Sequence, residues 1–320
     1  MSAGPENTGG GPAHTPAAAV HTSASPDHVR ALLAERDHLV DEGTATALHL
    51  ALALRRPLLL EGEPGVGKTS AAKALAGALG SPLIRLQCYE GLSAAEALYE
   101  WNHQRQLLAV RLAEARGERP AETDLFTEGF LLDRPILRAV RHRGAAPAVL
   151  LVDEVDRADD EFEALLLEFL GEASVTVPEL GTFTAERPPV VVLTSNRSRD
   201  LHDALRRRCL YHWLAFPGPE RAAEILRRAV PSSGAPLVEA ATAFVGEVRA
   251  LDLDKPPGLA EAIDWVAALG ALGVGELVRD DVVRTLSALV KTPDDRECVQ
   301  GALPGLVPSS SPSEPTETIT

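Results

Sequence analysis

The sequence predicts an α/β fold with a parallel sheet, followed by a small all-helical domain. Three observations predict it. Short apolar runs alternate with helix-spaced apolar residues up to about residue 217, and beyond that point the strand-like runs stop. Aromatic residues are only 4% of the chain, so Leu, Val and Ala must build the core, which favours helices packed on a parallel sheet.

Residues 1–26 and 308–320 consist mainly of small, polar and proline residues, and they are expected to be disordered tails because they cannot bury enough surface to offset chain entropy. Val29, Leu32, Leu33, Leu39 and Val40 suggest a first helix, and residues 45–54 a second. Residues 57–61 (PLLLE) read as a strand, 68–79 as a helix, 83–86 as a second strand and 148–152 as a third, fully apolar one. Phe162, Leu165, Leu166, Phe169 and Leu170 recur at helical spacing, with Gly171 expected just past that helix's end. Residues 190–194 and 210–214 complete five strands. Three helical stripes follow, through Ala222, Ile225, Leu226 and Ala229, through Leu259, Ala262, Ile263 and Val266, and through Val278, Val282, Leu286 and Leu289. The expected division is therefore a tail at 1–26, an α/β domain at 27–217, a helical domain at 218–307 and a tail at 308–320.

Charge and cysteine usage narrow the function. With 46 acidic and 31 basic residues the net charge is −15, which repels phosphate backbones and anionic membranes and makes nucleic acid an unfavourable partner. Cys88, Cys209 and Cys298 are widely spaced and form neither a metal pair nor a disulfide framework. No signal peptide and no membrane-length apolar run is visible, so a cytoplasmic location is expected. The nine histidines show no paired ligand spacing.

The chemistry is concentrated in two places. Gly62, Glu63, Pro64, Gly65, Val66, Gly67, Lys68 and Thr69 match G-x-x-x-x-G-K-[ST], with Ser70 following, between a strand and a helix. In that context the loop's N–H groups and the helix N-terminus cradle a phosphate, Lys68 reaches the β- and γ-phosphates, and the Thr69 hydroxyl ligates Mg2+. The second place is the apolar strand ending in Asp153 and Glu154. Carboxylates at that end of a parallel strand suit a magnesium contact, for Asp153, and activation of the attacking water, for Glu154. Asp156, Asp159, Asp160 and Glu161 are expected to be surface or helix-start charges. Asn196, after the fourth strand, either positions the water beside the γ-phosphate or is a turn residue. Arg206, Arg207 and Arg208 read either as a solvated basic cap or as the source of an arginine finger.

This order of motifs resembles AAA+ ATPases. The blocks LVDEVDRADDEFEA (151–164), PELGT (178–182), LTSNRSRDL (193–201), ALRRRCLYHW (204–213) and KPPGLAE (255–261) are similar to the MoxR group, within it to the CoxD-like branch. The resemblance runs over about residues 28–307. It implies a five-stranded parallel sheet in AAA+ order with an α-helical lid, assembled as a homo-oligomeric ring, commonly a hexamer. It gives Asn196 the first sensor role and makes Arg208 the finger, with Arg207 second. It implies a hairpin at 175–183 and an insertion at 89–133, where Trp101 and Leu107 are equally compatible with core and partner contact. One departure is the lid: 255–258 contains no arginine, and Lys255 supplies a charge without a bidentate fork.

The implied activity is Mg2+-dependent ATP hydrolysis by a chaperone-like remodelling or metalloenzyme-maturation factor, with a von Willebrand factor A domain protein as partner. A DNA-directed motor and a nucleotide-dependent scaffold are the rival readings. The acidic charge opposes the first and an intact Glu154 opposes the second.

Overall fold

The computed structural model describes residues 25–307. The expected tails lie outside it except for two residues, which start the first helix. Ser25 caps α1 (Pro26–Ala34) by accepting from the His28 N–H, and Pro26 fills the first turn. Leu39 and Val40 do not belong to this helix, contrary to their spacing. Asp37 turns the chain away at φ 57°, and Asp41 starts α2 (Glu42–Leu54) by capping Thr44.

The central sheet contains β1 (Leu58–Glu61), β2 (Leu83–Gln87), β5 (Val149–Asp153), β8 (Val190–Ser195) and β9 (Leu210–Trp213), all parallel, in the order β2-β5-β8-β1-β9. Between β2 and β5 lie β3 (Tyr99–Trp101), α4 (His103–Ala115), β4 (Leu131–Asp133) and α5 (Pro135–Val140), where β3 and β4 pair antiparallel. Helix α3 (Lys68–Ala78) links β1 to β2, and α6 (Asp160–Glu172) follows β5. A hairpin of β6 (Ser174–Val177) and β7 (Gly181–Thr184) precedes β8, and α7 (Asp203–Arg208) precedes β9.

Strand alternation divides the core between the two faces of the sheet. Leu58, Leu60, Val149 and Leu151 pack with α1, α2 and α3, whereas Leu59, Leu150, Val152 and Leu193 pack with α5 and α6. Burial on both faces explains the uninterrupted apolar runs.

The expected end of α6 at Gly171 is wrong. The helix continues to Glu172, and Ala173 takes the left-handed position at φ 49°. Gly171 serves packing instead, because a Cβ there would lie 2.6 Å from Nη1 of Arg208. In the insertion, Trp101 is core, edge-on to Tyr99 and Phe126, while Leu107 is 63% exposed.

The chain after β9 is helical: α8 (Pro219–Ala229), α9 (Ala235–Arg249), α10 (Leu259–Ala271), α11 (Arg279–Leu289) and α12 (Pro293–Leu306). The sequence reading found three of these and missed α9 and α12. Their core centres on Trp265, fully buried against Phe244, with Nε1 donating to the Thr285 hydroxyl at 2.8 Å. Among the described residues no helix is long and apolar enough to cross a membrane.

Candidate nucleotide site

The loop leaving β1 returns so tightly that two of its glycines are required. A Cβ on Gly62 would stand 2.3 Å from the Leu214 carbonyl oxygen. Gly65, at φ 76°, lies against Gly258, where a Cβ would meet the Gly258 Cα at 3.1 Å. Gly67 follows at φ 99°, and α3 begins at Lys68 without a side-chain cap, so its first N–H groups face the loop's concavity.

Lys68 is not the exposed loop residue that the motif suggests. It is buried, and its ammonium donates to the carbonyls of Gly62 at 2.8 Å and Glu63 at 2.7 Å. Burial lowers its pKa, and the nearby Asp156, Asp153, Glu154 and Glu63 carboxylates oppose that shift.

The sheet order brings the second half of the motif beside this loop, because β8 lies between β5 and β1. Asp153 is 2% exposed. Its Oδ1 accepts from Thr69 Oγ1 at 2.9 Å and from Thr194 Oγ1 at 2.5 Å, and its Oδ2 accepts from Arg85 Nε at 2.9 Å. The Thr194 hydroxyl also accepts from the Glu154 N–H at 2.9 Å, which fixes the turn at the strand end. Glu154 is left-handed at φ 56°, a costly state for a side chain of this size. Its carboxylate accepts from Gln87 Nε2 at 3.2 Å and Arg157 Nη1 at 3.1 Å.

Asn196 emerges just beyond β8, between these two strand ends. Its N–H donates to Asp156 Oδ2 at 3.2 Å, and Ser198 donates to the same oxygen from its N–H at 2.8 Å and its hydroxyl at 2.7 Å. Asp156 was expected as a surface or helix-start charge, but it is 2% exposed and holds the Asn196 loop from the turn that follows β5. The neighbouring Asp159 is a helix cap, accepting from the Phe162 N–H.

Lys68, Thr69, Asp153, Glu154 and Asn196 therefore share one edge of the sheet, whereas Arg207 and Arg208 do not. The register Leu58↔Leu210 puts the start of β9 beside the start of β1, at the edge away from the glycine loop. Arg56, just before β1, donates to the carbonyls of Arg207 and Arg208 at 2.9 Å each, and Arg208 Nη1 donates to the Leu167 carbonyl at 2.5 Å. Four strand residues, roughly 13 Å, separate that edge from the loop. Arg206 is committed elsewhere, pairing with the buried Glu61 at 3.1 Å.

The helical region closes over the loop. The Leu259 N–H donates to the Gly65 carbonyl at 3.1 Å, and Arg249 pairs with Glu63 at 2.5 Å while lying 4.0 Å from the Phe216 ring centre. Lys255 is exposed, and its backbone N–H is held by Asp295. The cation at the loop is thus Arg249, six residues earlier. A cavity of about 530 Å³ opens beside Gly65, Val66 and Ser70, walled by Val40, Leu214 and Ile263. His38 lines it, with a pKa lowered by burial. Sequence reading missed this cavity because its walls come from four distant segments. It also missed Arg85 and Gln87, whose signal was two polar residues alternating with Ile84 and Leu86 along β2.

Parts of this chain are similar to known proteins. Residues 57–209 match the family described as AAA domain (dynein-related subfamily). The NorQ protein of Paracoccus denitrificans (strain Pd 1222) is 28% identical over 179 residues, covering 54% of this chain and 57% of that protein, so the chain matches little more than half the length of its curated relative. Two solved variants of Thermotoga maritima RuvB align with TM-scores of 0.45 and 0.46 at 17% and 18% identity, over 87% and 82% of this chain and 75% and 74% of those chains. The glycine loop between β1 and α3 and the sheet order give this chain a P-loop α/β fold, and residues 57–209 of it are similar to the AAA domain family.

Proposed function

We propose that this chain binds ATP with magnesium at the P-loop and hydrolyses it, and that a ring of copies, six by the MoxR resemblance, uses the cycle to remodel partner proteins in the cytoplasm. The observation that carries the reading is the 2.9 Å contact between Thr69 Oγ1 and Asp153, which joins the phosphate loop to the strand bearing Glu154.

The residues present fit a magnesium ion. Thr69 and Asp153 offer hard oxygen donors at one point, the donor class that this metal takes together with phosphate oxygens. Bound there, it would neutralise charge on the β- and γ-phosphates. The loop N–H groups and the Lys68 ammonium hold the phosphates, with Gly62, Glu63, Pro64, Gly65, Val66, Gly67 and Ser70 forming the cradle. Glu154 accepts the proton of the attacking water, and the Asn196 amide orients that water. Arg208, or Arg207 next to it, comes from a neighbouring copy and stabilises charge on the departing phosphoryl group.

The sequence blocks similar to the MoxR group support a chaperone-like role in metalloenzyme maturation or complex assembly, with a von Willebrand factor A domain protein as partner. A charge of −15 disfavours a DNA-directed motor.

The test is Glu154→Gln. The amide keeps shape and hydrogen bonding but takes no proton from water. The variant is expected to bind an ATP analogue as tightly as the parent in calorimetry and to turn over ATP at least about tenfold more slowly. Unchanged turnover would move the base to another residue. Stimulation of the parent by DNA at low salt would favour the motor instead.

A further inference from the structure

Asp153 is 2% exposed, and with Asp156, Glu154 and Glu63 it is one of four carboxylates around the Lys68 ammonium. A buried carboxylate is stable only when paired or well hydrogen-bonded. Its Oδ1 has two hydroxyl donors, Thr69 and Thr194. Its Oδ2 receives Arg85, with Nε at 2.9 Å and Nη2 at 2.6 Å, so a single guanidinium closes on one oxygen with two nitrogens.

Arg85 is placed to let go. Its side chain is 48% exposed, on the edge strand β2, and its other recorded partner is the Gln87 amide oxygen. Swinging outward would therefore cost no core packing. The same amide donates to Glu154 Oε2 at 3.2 Å. Asp153, Arg85, Gln87 and Glu154 form one continuous chain of contacts between the carboxylate expected to meet the metal and the carboxylate expected to activate water. Register explains the alignment: Arg85 pairs with Leu151 and Gln87 with Asp153, so both polar side chains project on the face that Asp153 uses.

We infer that Arg85 is a built-in counter-ion, which neutralises Asp153 before magnesium arrives and leaves it when the metal binds. A guanidinium and a divalent ion with its water shell repel one another at one carboxylate. Metal binding and the Arg85–Asp153 bond are consequently linked equilibria, each weakening the other. Departure of Arg85 also frees the Gln87 amide oxygen, so metal arrival reaches Glu154 through side chains alone. Arg85 is a positioning residue, acting through Asp153 and Gln87. The inference rests on the reading that ATP and magnesium bind at this P-loop.

The experiment is calorimetric titration of a non-hydrolysable ATP analogue, once in EDTA and once in excess Mg2+. The quantity read is the ratio of the two affinities. In Arg85→Gln this ratio is expected to rise on the order of tenfold. Without metal, the unneutralised Asp153 repels phosphate, and with metal, the competing cation is gone. Arg85→Lys keeps the charge but loses the two-nitrogen grip, so its rise is expected to be smaller but measurable. Circular dichroism and thermal melting check that each variant is folded. A ratio that is unchanged or lower in a folded Arg85→Gln overturns the inference. If that variant does not fold, Arg85→Lys decides, and no rise in it is equally fatal. A parent protein that binds no analogue in either condition would sink the site reading itself, and this inference with it.

Discussion

Lys68 shows how far single residues can be read. The glycine pattern around it was legible because Gly62 leaves no room for a Cβ beside Leu214, and Asp153 and Glu154 were legible as carboxylates ending an apolar strand. Its burial was not, because the carbonyls of Gly62 and Glu63 that enclose it are arranged by the loop's own fold. Lys68→Ala is expected to abolish ATP binding in calorimetry while shifting the melting temperature little, since the side chain fills no apolar core. Tight ATP binding by the variant would remove the P-loop assignment. Asp156 makes the opposite point. Nothing in the run Asp-Arg-Ala-Asp-Asp-Glu sets it apart, yet it holds Asn196 and Ser198 from forty and forty-two positions away. Arg85 was hidden for a related reason, its partner being 68 positions distant. Side chains whose role depends on a remote contact carry little local signal.

At the level of elements, the inner strands β1, β5 and β8 were legible because burial on both faces leaves a nearly uninterrupted apolar run, whereas the edge strands β2 and β9 mix apolar and polar residues. Helix ends were less legible. Gly171 invited assignment as a terminator, but α6 passes through it, and the glycine makes room for Arg208 instead. Helix α9 was not predicted, although Leu237, Val238, Ala241, Phe244, Val245 and Val248 form a helical stripe. The Gly171 contact can be tested. Gly171→Ala adds a methyl where the Arg208 guanidinium lies, and that flexible group must give way. Helix propensity favours alanine by about 0.5–1 kcal/mol, so the melting temperature is expected to hold or rise. ATP binding should remain intact while turnover falls, because Arg208 is displaced from its seat on the Leu167 carbonyl. A drop in stability with normal turnover per folded molecule would mean that the contact serves packing alone.

Across the whole molecule, the sheet separates two sets of residues that the proposed ATP hydrolysis would bring together. Lys68, Thr69, Asp153, Glu154 and Asn196 stand at the C-terminal edge of the strands, and Arg207 and Arg208 stand at the N-terminal edge, anchored through Arg56. One chain cannot bring its own Arg208 to its own P-loop without dismantling β9. A head-to-tail contact between copies can, and repeated around a closed ring it completes every site in the same way. The central claim, that ATP is hydrolysed at a site built from two copies, is tested most directly by mixing two inactive variants and measuring ATP turnover. Arg208→Ala keeps its P-loop and loses the donor, while Lys68→Ala keeps the donor and loses the P-loop. At a junction where an intact P-loop meets an intact Arg208, one complete site is rebuilt, and turnover is predicted to return to a fraction of the parent rate. A mixture whose subunits demonstrably exchange and which stays as inactive as either variant alone would contradict the claim for Arg208.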